Sequence, residues 1–372
     1  MVRVAVVGTG SIHGAHMVAY LSEHERCEIV ALCDVKPDKA RASAERHGLG
    51  AVPVFDDHEA LLRTTSVDLV SVCTPPNTHA EITVDALRAG AHVLCEKPMA
   101  ASLEECDRMI EAASASGRTL SVVSQNRFLP RFWKLKRLLE TDALGKLNHI
   151  QAESYWWRGD NYYDLWWRGT WESEGGGCTL NHAVHHIDIT VWLAGMPERV
   201  KAMMTNTSHP NSETEDLSVA ILGYRDGALG QITSSVVHHG EAQGIRLQCE
   251  RAAIGAPWTL AAERAQDNGF PTPNAELAAE IARLEQEIKT PDVEPGPHAA
   301  QIRDVLQAIE TGSRPTVTGH DGRNALELIT AIYAAAITDT TITLPLDSKS
   351  PFYSNGAIRL APRFNTKTRV AD

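Results

Sequence analysis

Several absences narrow the class of this 372-residue chain before any motif is read. No apolar run approaches the roughly 20 residues that a membrane-spanning helix needs. The seven cysteines, Cys27, Cys33, Cys73, Cys95, Cys106, Cys178 and Cys249, are odd in number and contain no Cys-x-x-Cys pair. Reduced, buried thiols in a cytoplasmic setting are expected, not a disulfide framework. Positive charge is also short. Lys and Arg number 35 against 47 Asp and Glu, a net charge of -12 that repels phosphate backbones and anionic lipid, so neither nucleic acid nor membrane is an expected partner. No solenoid-length repeat, low-complexity block or secretory leader pattern is visible, and the chain enters a strand pattern at once with Val2 to Val7.

With 43% apolar residues the chain is long enough for two packed domains. Up to about Val123 it repeats one unit: a short β-branched run, a turn, then an amphipathic stretch at helical period. The strand candidates are Arg3 to Val7, Glu28 to Cys33, Ala51 to Val54, Leu69 to Cys73, His92 to Cys95 and Leu120 to Val123. Short apolar strands without alternation are buried on both faces, which implies a doubly wound parallel sheet with ligands beyond the carboxyl ends of its strands. After Arg127 the pattern changes. A helix at Pro130 to Glu140, a strand run from Lys146 to Trp157 and a helix from Gly176 to Ala194 precede four successive strands: Arg199 to Thr207, Asp216 to Tyr224, Ala228 to Val237 and Ile245 to Glu250. Hairpin signals such as Arg225-Asp226-Gly227 make this part α+β with an open, mostly antiparallel sheet. Residues 252–297 read as a surface insertion carrying one helix, Ala275 to Lys289. Helices at His298 to Thr311 and Arg323 to Thr338 then lead to an extended tail. The expected domains are 1–124, for a dinucleotide, and 125–372, for substrate and assembly, with the helix near 323–338 a candidate to pack back on the first.

Gly8-Thr9-Gly10-Ser11-Ile12-His13-Gly14 follows the first strand and opens a helix, the context a dinucleotide fingerprint requires. The first glycine permits the tight turn, and the second lets backbone N–H groups approach a pyrophosphate at the helix N-terminus. His13 stands where the third glycine belongs, so either helix and strand pack further apart or the imidazole points outward. The second strand ends in Cys33-Asp34, a carboxylate placed for ribose hydroxyls and unfavourable to a 2′-phosphate. NAD is therefore the favoured cofactor, while Lys36 and Lys39 keep NADP open.

The fourth strand ends in Cys73-Thr74-Pro75-Pro76-Asn77-Thr78-His79 and the fifth in Cys95-Glu96-Lys97-Pro98, both on the cofactor side. A desolvated lysine beside a cationic nicotinamide has a lowered pKa and suits proton transfer, and Lys97-Pro98 is a candidate cis bond. Taken alone, Lys97 reads more readily as a surface partner of Glu96. Further on, Gly175-Gly176-Gly177 leads into a histidine-rich helix on which Asn181, His185 and Asp188 share one face, and His182 and His186 the next. Two histidines four apart can bind a metal, but no third ligand stands at a recognisable spacing, so no metal is expected. Five of the eight tryptophans crowd into Tyr155 to Trp171, interleaved with Arg158 and Arg168. Aromatic faces such as Trp167 with arginines suit a pyranose or cyclitol ring, and equally an oligomer interface.

Together these residues resemble the glucose-fructose oxidoreductase, inositol dehydrogenase and rhizopine-catabolism family, written Gfo/Idh/MocA. The match rests on the glycine loop, the Cys73 to His79 and Glu96-Lys97-Pro98 strand ends, the triple glycine with its histidine helix, and the closing Leu344-Pro345-Leu346. The resemblance implies an N-terminal Rossmann domain holding NAD, with Gly8, Gly10, Ser11, Ile12, His13, Asp34, Thr74, Pro75, Asn77, His79, Glu96, Lys97 and Arg127 toward the cofactor. It implies Lys97 and His185 at the reacting carbinol, Asn126, Arg158, Trp167, Arg168 and Asn181 toward the substrate, and a second domain whose sheet supports a homodimer or homotetramer. Many members carry aspartate where this chain has Asn181, and a neutral amide cannot take a proton, so the relay is expected through Lys97 and His185. The Trp-Arg-Gly-Thr-Trp segment resembles that of members acting on sugars and glycosides, some at C3 of a pyranose. Inositol or cyclitol oxidation, ketose reduction and a non-catalytic nicotinamide or sugar sensor are the alternatives.

Overall fold

The structure of the protein, a computed structural model, describes residues 1–354 and 360–367. In chain order its regular elements begin β1 (Val2–Val7), α1 (His13–Ser22), β2 (Cys27–Cys33), α2 (Pro37–Arg46), β3 (Val54–Phe55), α3 (His58–Thr64), β4 (Leu69–Val72), α4 (Pro76–Arg88), β5 (His92–Cys95), α5 (Leu103–Ser116) and β6 (Leu120–Val122). There follow α6 (Pro130–Leu139), β7 (Leu147–Tyr155), α7 (Trp171–Glu174), α8 (Cys178–Asn181), α9 (Val184–Ala194), β8 (Arg199–Thr205), β9 (Leu217–Gly223), β10 (Leu229–Ser235), β11 (Gln243–Cys249), β12 (Ala252–Ala256), β13 (Thr259–Ala265) and β14 (Pro271–Pro273). The last are α10 (Ala275–Glu287), α11 (Pro297–Thr311), α12 (Gly319–Thr338) and β15 (Ile342–Thr343). They form two compact units, one of Met1–Leu129 with Pro291–Arg323, the other of Pro130–Thr290 with the chain from Asn324 onward.

In the first unit six parallel strands lie in the order β3-β2-β1-β4-β5-β6, the doubly wound arrangement expected from their two-sided apolar character. Val4, Val6, Leu32, Leu69 and Leu94 are buried in its core together with Ile302, Val305 and Leu306 of α11. That helix lies beyond the single boundary near residue 125 that the sequence suggests. Its apolar face at helical spacing completes this core, which explains why the chain returns to the first unit after Pro291.

The second unit is built on a nine-stranded sheet, β14-β13-β12-β11-β7-β10-β9-β8-β15, antiparallel except where β7 pairs with β10 in parallel. Alternation in β8, β9 and β10 buries one face, on which α8 packs, and exposes the other. Residues 252–273 correct the expectation of a surface insertion, because β12, β13 and β14 extend the sheet from β11. Their alanine and glycine content hides a strand that is nonetheless buried in the pattern of Ala252, Ile254 and Ala256. The expected helix from Gly176 to Ala194 is two helices. The Cys178 carbonyl accepts from both His182 N (3.1 Å) and Ala183 N (2.9 Å), a widened turn that inserts one residue and rotates α9 relative to α8. Among the described residues no helix is long and apolar enough to cross a membrane.

Candidate active site

The glycine loop begins where β1 ends. Gly8 has φ +94°, and a Cβ there would sit 2.7 Å from the Cys73 carbonyl carbon, so both conformation and the approach of β4 demand glycine. A Cβ on Gly10 would meet nothing within 4 Å, and this open side faces a cleft of about 580 Å³ lined also by Gly8, Asp34, Thr74, Pro75 and Asn77. Lys36 and Lys39 line the same cleft. Ser11 and His13 border a smaller hollow of about 260 Å³, shared with Lys39 and Arg46. Ile12 stands at the start of α1, which no side chain caps, so the positive end of the helix dipole is presented at the loop.

Asp34 is held rigidly. One carboxylate oxygen accepts from Thr9 N (2.9 Å) and Thr9 Oγ1 (2.7 Å), the other from Lys36 N (2.9 Å). Partial burial pushes its pKa up, but these bonds and Lys39 outweigh burial and hold the carboxyl below the ordinary aspartate value. His13 does not point outward, as one of the two expected courses had it. Its ring is buried, with Nε2 2.6 Å from Ser43 Oγ of α2 and Nδ1 3.1 Å from the Gly10 carbonyl, so the imidazole fills the space beneath α2 and braces the loop.

At the ends of β4 and β5 a buried polar network replaces the exposed pair that a lone Glu-Lys suggests. Glu96 is 4% exposed. Its Oε1 accepts from His16 Nε2 (2.9 Å) and its Oε2 from the Lys97 amide (3.0 Å), while His16 Nδ1 lies 2.8 Å from Ser71 Oγ. His298 Nε2, on α11, is 3.9 Å from Glu96 Oε1. The three ligand-type atoms lie within 4.8 Å of one another, but both His16 nitrogens are already engaged, so hydrogen bonding accounts for the cluster. Burial pushes the Lys97 amine below its usual range, against the pull of Glu96, and the Lys97-Pro98 bond is cis. His79 is fully buried between two carbonyls, Thr74 O at 2.7 Å and Pro98 O at 3.0 Å, and ties together the loops that carry Pro75 and Lys97. Asn126 and Arg127 lie in a short 3-10 turn, Gln125–Phe128, after β6. Arg127 is 1% exposed and directs its guanidinium to Asp321 (2.9 Å).

In the second unit, β7 runs out into the aromatic segment. The Arg158 guanidinium lies 5.3 Å from the Trp156 ring and pairs with Glu241 (2.7 Å). Arg168 stacks between Tyr162 (4.2 Å) and Trp167 (4.3 Å), donates to the Tyr162 hydroxyl, and pairs with Glu174 (3.0 Å), which also accepts from Gly169 N. Burial pushes the Glu174 carboxyl up to about 7, opposed by the Gly169 amide and Arg168. His182 sits against the Trp156 and Tyr162 rings. His186, by contrast, is buried against Phe132, so the two histidines do not share a face. Asn181 folds its amide back to donate to the Gly176 (2.7 Å) and Gly177 (3.2 Å) carbonyls. His185 is the one partly exposed residue between Ala183 and Val191. His16, His298, Glu174 and His182 were not singled out as site residues from sequence. Of these, His182 was weighed from sequence only as half of a metal-binding pair with His186, and the three-residue spacing of His16 from His13 is a signal that could have found His16.

A parallel sheet in this order, a glycine loop opening α1 and an acid at the end of β2 define a dinucleotide-binding protein of the Rossmann class. Residues 2–124 match the family model described as the oxidoreductase family, NAD-binding Rossmann fold, and residues 132–255 match the GFO/IDH/MocA C-terminal domain. The chain belongs to the Gfo/Idh/MocA oxidoreductase family. It is 31% identical over 195 residues to a D-glucoside 3-dehydrogenase of Escherichia coli (strain K12), covering 52% of this chain and 54% of that relative, so the match spans about half of that relative's length. It is 26% identical to a myo-inositol 2-dehydrogenase of Thermotoga maritima over 88% of this chain and 93% of the other. The WlbA dehydrogenase of Bordetella pertussis, solved with NADH and UDP-GlcNAcA, superposes with a TM-score of 0.76 at 28% identity, covering 93% and 99% of the two chains. NAD fits the residues present: an open Gly10 at the pyrophosphate position and a fixed, ionised Asp34 at the ribose position.

Proposed function

We propose that the protein is an NAD-dependent dehydrogenase that oxidises a ring secondary hydroxyl of a sugar or glycoside, with C3 of a pyranose the favoured position. The observation that carries this reading is Lys97, a partly buried lysine at the carboxyl end of β5 whose amine is pushed below its ordinary pKa by desolvation, on the same sheet edge as the glycine loop and Asp34. Bound NAD supplies a hydride acceptor for the carbinol C–H. Lys97 Nζ takes the hydroxyl proton and His185 assists the transfer, and the reverse reaction returns both to a ketone. Gly8 to His13, Thr74 to His79 and Glu96 form the coenzyme side, directly or by bracing its loops, while Arg158, Trp167, Arg168, Asn126 and Asn181 serve the substrate. The rings stacked around Arg168 and the resemblance to a D-glucoside 3-dehydrogenase support a pyranose.

Inositol oxidation is the second reading, favoured by the 338-residue match to a myo-inositol 2-dehydrogenase. A purely sensory role is disfavoured, since both Lys97 and His185 are retained. The apolar row Met203, Val219, Ile221 and Leu229 on the open sheet face supports a homo-oligomer, and seven free cysteines support a reducing, cytoplasmic setting. Screening monosaccharides, glycosides and inositols for NAD reduction tests the substrate. Lys97→Ala tests the chemistry, with turnover expected to fall by about two to four powers of ten while NAD still binds. Undiminished turnover removes Lys97 from the reaction.

A further inference from the structure

Buried carboxylates need a counter-charge, and Glu96 has two candidates of very different consequence. One is Lys97, its chain neighbour. The other is His16, 80 positions earlier, on the helix that opens at the glycine loop. The geometry favours His16. Its Nε2 meets Glu96 Oε1 at 2.9 Å, its Nδ1 is oriented by Ser71 Oγ at 2.8 Å, and its side chain is fully buried. Glu96 offers its other oxygen to the Lys97 backbone amide at 3.0 Å, not to the ammonium.

We infer that His16 is the counter-ion of Glu96 and, by neutralising that carboxylate through its far oxygen, a positioning residue for Lys97. The consequence is electrostatic as well as steric. An uncompensated Glu96 would hold a proton on Lys97 and remove its capacity to accept one from substrate, whereas the His16–Glu96 pair leaves desolvation to dominate at the lysine. Burial works against the His16 charge and is outweighed by the Cys73 sulfur and the Glu96 carboxylate. For Glu96 burial is outweighed by His16, and the pair is charged. The other titratable groups facing the pair are Tyr20 on α1, Cys73 after β4, His79 on α4 and His298 on α11, whose ring lies 5.6 Å from that of His16. Burial pushes the His298 pKa down to about 4, so near neutrality it adds no charge.

The inference rests on Lys97 being the proton-transfer residue, and its test does not use turnover. The pH midpoint of Lys97 reactivity toward an amine-acylating reagent is read by mass spectrometry on the full chain without substrate, for wild type, His16→Gln, Glu96→Gln and the double variant. His16→Gln is expected to raise the midpoint by about one pH unit or more, a tenfold change in proton affinity. In the Glu96→Gln background the same change moves it by a small fraction of that, because no carboxylate remains to be exposed. An unmoved midpoint in His16→Gln, or an equal rise in both backgrounds, overturns the inference. Should His16→Gln fail to fold, the 15N chemical shifts of the His16 ring in the wild-type chain at about pH 7 decide: a doubly protonated imidazolium is expected, and a neutral ring overturns the inference. Turnover of Lys97→Ala independently judges the reading beneath it.

Discussion

Thr9 grips the carboxylate of Asp34 with both its amide and its hydroxyl, at 2.9 and 2.7 Å, locking the glycine loop to the end of β2. The acid is thus oriented by the same loop that would receive the pyrophosphate. Asp34→Ala is expected to weaken NAD by about tenfold or more and to weaken NADP far less, since repulsion of a 2′-phosphate goes with the acid. Titrations of wild type and Asp34→Ala with both coenzymes measure this, and a wild type preferring NADP contradicts it.

Glu174 holds Arg168 between two rings only while ionised. With its carboxyl pushed up to about 7, the carboxylate fraction falls as pH drops through that value. The KM for sugar is expected to rise below about pH 7 with little change in NAD affinity, and Glu174→Gln to flatten that dependence. Steady-state kinetics from pH 5.5 to 8.5 check both, on roughly the scale set by this one group.

Arg127 is committed to Asp321 inside the first unit. Arg127→Met leaves a largely buried carboxylate without its partner and is expected to cost about 3 kcal/mol of stability. Thermal unfolding should register that loss, and any loss of NAD affinity should be no larger than the loss of folded protein explains.

His186 is 3% exposed, and neither ring nitrogen has a hydrogen-bond partner. Burial, helped by Arg131, pushes its pKa down to about 4 from the ordinary 6.5. The unfolded chain therefore binds the proton first, so this contribution is complete above about pH 6.5 and is lost as pH falls to about 4, by about 3 kcal/mol at most. His186→Phe should flatten that slope in denaturant unfolding at pH 4 to 7.

Ile221 is 57% exposed beside Met203 and Val219 on the open sheet face. If this face carries the proposed homo-oligomer, Ile221→Glu lowers the mass seen in sedimentation relative to wild type without unfolding the chain, and an unchanged mass counts against an interface on this face.

The legibility of the chain followed the range of its interactions. The parallel sheet could be read because β1, β2, β4 and β5 declare burial on both faces in four to seven consecutive residues, and Asp34 because an acid ending the second strand has a place set by the fold. The strands β12 to β14 escaped notice, since Ala252-Ala253-Ile254-Gly255-Ala256 owes its conformation to the edge of β11 more than to its own propensity. The break between α8 and α9 comes from one carbonyl accepting two amides, a choice invisible to periodicity.

Local pattern therefore determined, from sequence alone, the fold class, the glycine loop and the lysine at the end of β5. Tertiary structure decided which polar groups became partners: His16 with Glu96, Arg127 with Asp321, Arg168 with Glu174. The first two join residues 80 and 194 positions apart, and the third arises where a loop folds on itself. Such pairings are selected by the cost of burying a charge alone, and that cost exists only once the chain has closed around it.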